Sequence, residues 1–330
     1  MHDASALVFR RLELSKSLVK FSIALILSAA ATLAPAAQLS TDSRSAIPQS
    51  VQQLVVIDYR AMQDSTAAMD LRNRVMPPEL KQLDAALQKS GLNENHDVDQ
   101  LAFALFRPSA SSDSLYTVGI AEGEFSEPDI LANFRKLKIK PTMLRANSIY
   151  PMTKSGMVLC FVDPSTMVFG DKAAVMKALD SRDGMAPSIL TNASMMNAMQ
   201  SVDSAPLWSI LDASGTQTMM RSLLGEAGSV TDYDTVRKRL QASWYSMSFR
   251  NGVNFDLTIS TGDPFTASTV ASLLTAAVLV RKMSSTATEK QALNATSITS
   301  NGGQLTIHFA STDTEFSSLL QSPLFQNMVR

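Results

Sequence analysis

Few residues in this chain have the types and spacing that reaction chemistry needs. Past an apolar N-terminal stretch there are two histidines, His96 and His308, and one cysteine, Cys160. His96 is followed by Asp97 and Asp99, an imidazole–carboxylate set able to hold a metal ion. Neighbouring residues on a strand point to opposite faces, however, and Asn93-Glu94-Asn95-His96-Asp97 reads as an exposed polar loop. His308 sits in the strand-like run QLTIHFA, where a lone histidine is expected to be structural. Met195, Met196 and Met199, with Met219 and Met220, resemble thioether clusters that bind Cu(I); at helical spacing they are expected to fill a core. Asp58 and Asp212 end corresponding strands, as a symmetric carboxylate pair would, but each is also a good helix-entry residue. Cys160 lies inside an apolar strand and reads as a small core residue. No catalytic, cofactor-binding or metal-ligating residue is assigned from these patterns.

The sequence contains no GxSxG elbow, HExxH, CxxC, P-loop or GxGxxG. A triad built from distant residues needs no local motif, so a hydrolase remains the alternative expectation, with methionine-based copper binding second. The formal net charge of -1 gives no basic field to attract nucleic acid. Two Trp and five Tyr do not suggest a groove that stacks sugars.

Such residues need a scaffold, and the first 40 positions differ from the rest. Arg10, Arg11, Lys16 and Lys20 precede an uncharged stretch from Phe21 to Thr41 whose apolar heart is FSIALILSAAATL. That order, with Ala34-Pro35-Ala36 behind it, reads as a signal peptide over residues 1–36, or an uncleaved anchor over residues 21–41. The expected location is exported: periplasmic or extracellular, with membrane contact only through this segment. Cleavage after Ala36 removes four basic and two acidic residues and leaves a net charge of about -3.

The remainder is expected to be α+β: two similar β-α-β-β-α-β-β-α units, largely antiparallel sheets packed with helices. A polar linker over residues 37–50 precedes the first unit, residues 51–182. Residues 183–203 connect it to the second, residues 204–330. In the first, LVVIDY is a continuous β-branched strand, and Ser126-Glu127-Pro128-Asp129 carries a capping serine, an early proline and an acid that opposes the helix dipole. MVLCFVDPSTMVFGDKAAVMKALD reads strand, turn, strand, helix, with Asp171 as the helix cap. In the second, LWSILD parallels LVVIDY, Arg250-Asn251-Gly252 signals a hairpin, and Thr312 and Glu315 stand at capping-box spacing. Matching element order supports an internal duplication. The uncharged run FTASTVASLLTAAVLV after Pro264 is expected to be a helix buried between sheets, being short for a membrane span.

Ile47-Pro48 before LVVIDY, Gly91-Leu92, VDQLAFALF, YTVGIAEGEFSEPDI and MVLCFVDPSTMVFGDKAAVMKAL together resemble a group of exported bacterial proteins of unknown function. The resemblance covers residues 47–182 and, in outline, the second half. It implies an envelope location and the duplicated architecture, and it carries over no catalytic residue. The expectation is a non-enzymatic exported binding or interaction protein, its partner another envelope component met at a sheet face or between the halves.

Overall fold

The computed structural model describes residues 38–109, 114–224, 236–323 and 325–326. The segment read as a leader, residues 1–36, lies outside them, as do residues 225–235. The fold is α+β, with one twelve-stranded sheet in which all pairings are antiparallel.

In chain order, α1 (Thr41–Ser45) leads to β1 (Val51–Asp58), α2 (Tyr59–Gln63), α3 (Thr66–Val75), α4 (Pro78–Lys89) and α5 (Glu94–Asp97). Next come β2 (Val98–Phe106), β3 (Tyr116–Gly123), α6 (Glu127–Lys136), β4 (Thr142–Leu144), β5 (Asn147–Pro151), β6 (Met157–Asp163), β7 (Thr166–Asp171) and α7 (Lys172–Arg182). A short 3-10 turn, Ile189–Thr191, precedes α8 (Ala193–Gln200). The second half contributes β8 (Leu207–Leu211), α9 (Ala213–Leu224), β9 (Leu240–Ser248), β10 (Val253–Thr261), α10 (Pro264–Ser284), α11 (Ala287–Asn294), β11 (Thr296–Asn301), β12 (Gln304–Ser311) and α12 (Asp313–Leu320).

The strand order is β11-β12-β10-β9-β8-β1-β2-β3-β7-β6-β5-β4. Read outward from the β8·β1 pair, both sides run first strand, second, third, then a late hairpin entered through its second member. The halves are therefore not separated by a cleft. They meet edge to edge, Gln53 opposite Leu211 through Ile57 opposite Leu207. A buried polar chain crosses this seam: Gln53 Nε2 donates to Ser209 Oγ (3.3 Å) and Tyr245 Oη (3.4 Å).

Two apolar layers form on the two faces. β1 feeds both, Val55 and Ile57 into one and Leu54 and Val56 into the other, which is why its sequence is apolar without alternation. The first layer runs from β5 to β11 under α3, α4, α6, α9, α10 and α12. The second is narrower, built with α1, α7 and α8 over the strands of the first half and β8. Residues 38–50, expected as linker, carry α1 and bury Leu39, Ala46 and Ile47 in this second layer. Beyond β8, strands alternate cleanly: Phe255, Leu257 and Ile259 face the first layer, while Asn254, Asp256, Thr258 and Ser260 lie on the opposite face of the sheet.

Local chemistry explains the turns and helix starts. Asn251 (φ 56°) and Gly252 (φ 99°) are both left-handed, in the short turn that joins β9 to β10. Thr312 and Glu315 form the expected capping box. Two expected caps differ. Ser126 turns its hydroxyl to Asp129 Oδ2 (2.6 Å) instead of the helix amides, and Asp171 makes no side-chain cap bond.

Candidate functional site

The residues singled out for chemistry do not converge. His96 is exposed on α5, Asp97 Oδ2 accepts from the Asn93 amide at 2.6 Å, and Asp99 is paired with Arg60. Among the described residues no three of His, Cys, Asp and Glu group as metal ligands. Met195 and Met199 are buried in the second apolar layer, with Met196 packed against it, so these thioethers fill core instead of meeting at an accessible spot.

Asp58 and Asp212 are helix caps. Asp58 Oδ1 accepts from Ala61 N (2.9 Å) and Asp212 Oδ1 from Gly215 N (2.7 Å). Burial raises the pKa of both, opposed by those amide bonds. Cys160 is enclosed, and burial pushes its thiol up to about 11.

His308 is better connected than its sequence context suggests. Its Nδ1 donates to Asp256 Oδ1 at 2.8 Å. Asp256 and His308 are cross-strand partners on β10 and β12. Register then places Ser297 of β11 opposite His308, and Ser246 of β9 opposite Asp256. One row on the polar face thus reads Ser246–Asp256–His308–Ser297. The pair is open to solvent, with His308 44% and Asp256 53% exposed.

One concavity, about 560 Å³, lies wholly within the first half and not between the halves. Asp42, Glu127, Asp163 and Arg182 line it, with Asn147 and Tyr150. Arg182 is committed: it donates to Asn147 Oδ1 (2.7 Å) and pairs with Asp183 (2.6 Å). Another, about 50 Å³, surrounds the Arg72–Glu94 ion pair, where Arg72 stacks over Tyr59 at 5.4 Å.

The surface least explained by folding is α10. Among the described residues it is the one helix long and apolar enough to cross a membrane, yet only 22% of its apolar window is buried. The expectation of a helix enclosed between sheets is therefore overturned. Thr266, Ala267, Val270 and Leu274 alone are buried, a single stripe that ends at Leu274. The following ten residues, Thr275–Ser284, contribute no buried side chain. Phe265 is 77% exposed, Leu279 58%, Val280 64% and Met283 85%. The N-terminus is well fixed. Asp263 Oδ1 accepts from Thr266 N (2.8 Å), Asp263 Oδ2 from Thr266 Oγ1 (2.8 Å), and Arg239 bridges to Oδ2 (3.0 Å). The Thr266 amide and then its hydroxyl hold the Asp263 carboxyl below its ordinary value.

No family model matches the chain, and no curated protein matches it in sequence. Among solved structures, crystal forms I and III of TP0453 are similar at 11% and 10% identity, with TM-scores of 0.49 and 0.45. These alignments cover 86% and 85% of this chain and 98% of the TP0453 chain.

Proposed function

We propose that this is an exported, non-enzymatic interaction protein that binds an envelope component through α10. The observation that carries the reading is the uncovered apolar surface of α10, a run from Phe265 to Val280 without a charged residue. Exposed apolar surface on this scale marks a binding face more often than it marks a free one. The basic and then apolar leader supports export. The test is a photo-crosslinking residue at Leu279 in the producing cell, with Met185, also exposed at 72%, as the reference position. A discrete protein or lipid adduct at 279 and none at 185 supports the reading. Equal, diffuse labelling at both positions overturns it.

A second reading, hydrolysis, is favoured by one observation, the Asp256–His308–Ser297 row. Asp256 on Nδ1 leaves Nε2 of His308 free to take a proton from a hydroxyl. A serine-reactive fluorophosphonate should then label Ser297, and both Ser297→Ala and His308→Ala should abolish labelling. Native protein that takes up no label removes this reading.

A further inference from the structure

We infer that the envelope component met by α10 is the lipid bilayer, with the helix lying in the interface and not crossing it. This rests on the α10 reading above and names its partner.

Three features separate a lipid surface from a protein partner. The first is extent. Phe265, Ala276, Leu279 and Met283 recur at helical spacing on the side away from the Thr266–Leu274 stripe, and a helix rises about 1.5 Å per residue, so this outward face runs roughly 27 Å with no carboxylate on it. The second is how three of its hydroxyls are satisfied. Thr269 Oγ1 donates to Phe265 O (2.9 Å), Ser272 Oγ to Ser268 O (3.0 Å) and Thr275 Oγ1 to Ala271 O (2.8 Å). A hydroxyl bonded back to its own helix loses little on leaving water, so these positions do not oppose entry into an apolar medium. The third is charge. The first charged residues after Pro264 are Arg281 and Lys282, beside the exposed Leu279, Val280 and Met283. Long cationic side chains next to apolar ones place their stems in the acyl boundary and their heads on phosphates.

The buried stripe fixes the orientation. Because Val270 and Leu274 sit in the first apolar layer, with Ala271 and Leu273 packed against it, the helix cannot stand across a bilayer while the fold is intact. It can dip its outward face, as interfacial helices do.

The test uses the purified protein carrying Leu279→Cys or Met283→Cys, labelled with an environment-sensitive nitrobenzoxadiazole; Cys160 is enclosed and is expected to stay unlabelled. Vesicles are three parts phosphatidylethanolamine to one part phosphatidylglycerol. The expected result is a several-fold rise and blue shift of emission at 279 and 283, none at a Met185→Cys reference, and weakening when Arg281 and Lys282 are both changed to Gln. The local probe reads α10 whatever the leader does. No change at 279 or 283 overturns the bilayer inference. The same rise on concentrating the protein without lipid overturns it in favour of a second copy of the chain. If vesicles give nothing while Leu279 still crosslinks to one protein in cells, the lipid assignment falls and the α10 reading stands.

Discussion

Leu274→Ala tests how α10 is held. Leu274 is the last buried residue of the helix, and it closes the stripe begun by Thr266, Ala267 and Val270. The change removes three carbons; at about 0.8 kcal/mol per buried CH2 that is ~2.4 kcal/mol, at the low end for leucine-to-alanine changes. A site at the edge of a layer can relax around the loss, which argues for the low end. At about 1.4 kcal/mol per factor of ten, local opening of α10 should rise roughly 50-fold. The assay is native-state hydrogen exchange followed by mass spectrometry. Peptides covering Ala267–Val280 should exchange roughly 50-fold faster, with peptides from β1 and β8 unchanged. The reasoning is refuted if α10 keeps its protection. It is equally refuted if β1 and β8 accelerate by the same factor, because α10 would then open only with the whole fold.

Other outcomes follow from single contacts. Gly215→Ala puts a Cβ 2.4 Å from the Gln52 carbonyl oxygen, a backbone atom that no rotamer change can move, so the melting temperature should fall by several degrees in calorimetry, about 1–3 kcal/mol of overpacking. Cys160 should ignore an aromatic disulfide reagent at pH 8 in the native state and react at once in guanidinium, because its thiol is enclosed and raised to about 11. Asp263 has a folded pKa below its ordinary 3.8, so its contribution is present above that value and lost as pH falls through the depressed one. Thermal melts should therefore place Asp263→Asn below the native chain at pH 7, with the gap closing as pH falls below about 4.

The sequence made the elements legible because their signals are local. Asn251-Gly252, Thr312 with Glu315, and Pro264 ahead of its helix each act within four residues, and the structure has a turn, a capping box and a helix start there. What stayed hidden depends on what lies across from a residue. His308 and Asp256 are 52 positions apart and meet only through the register of β10 and β12. Composition could not give the setting of α10 either. An uncharged helix suits a core or an apolar solvent equally well, and the deciding fact is that the packed stripe ends at Leu274. Ser126 misled for a related reason: Asp129, placed for the helix dipole, took its hydroxyl. At Met195 and Met199 one spacing served two chemistries, and burial settled which.

The β1·β8 seam has a consequence for synthesis. β1 ends at Asp58, and its second partner starts at Leu207. Until then the growing chain carries Leu54-Val55-Val56-Ile57 as a free sheet edge, β-branched and uncharged, the kind that pairs with any compatible strand. Contacts this distant in sequence close slowly. A chain halted before Leu207 therefore exposes the strand that later becomes the middle of the sheet, and two such chains can satisfy each other edge to edge. For a polypeptide made from its N-terminus, the interval between β1 and β8 is when it most needs to be kept from its neighbours.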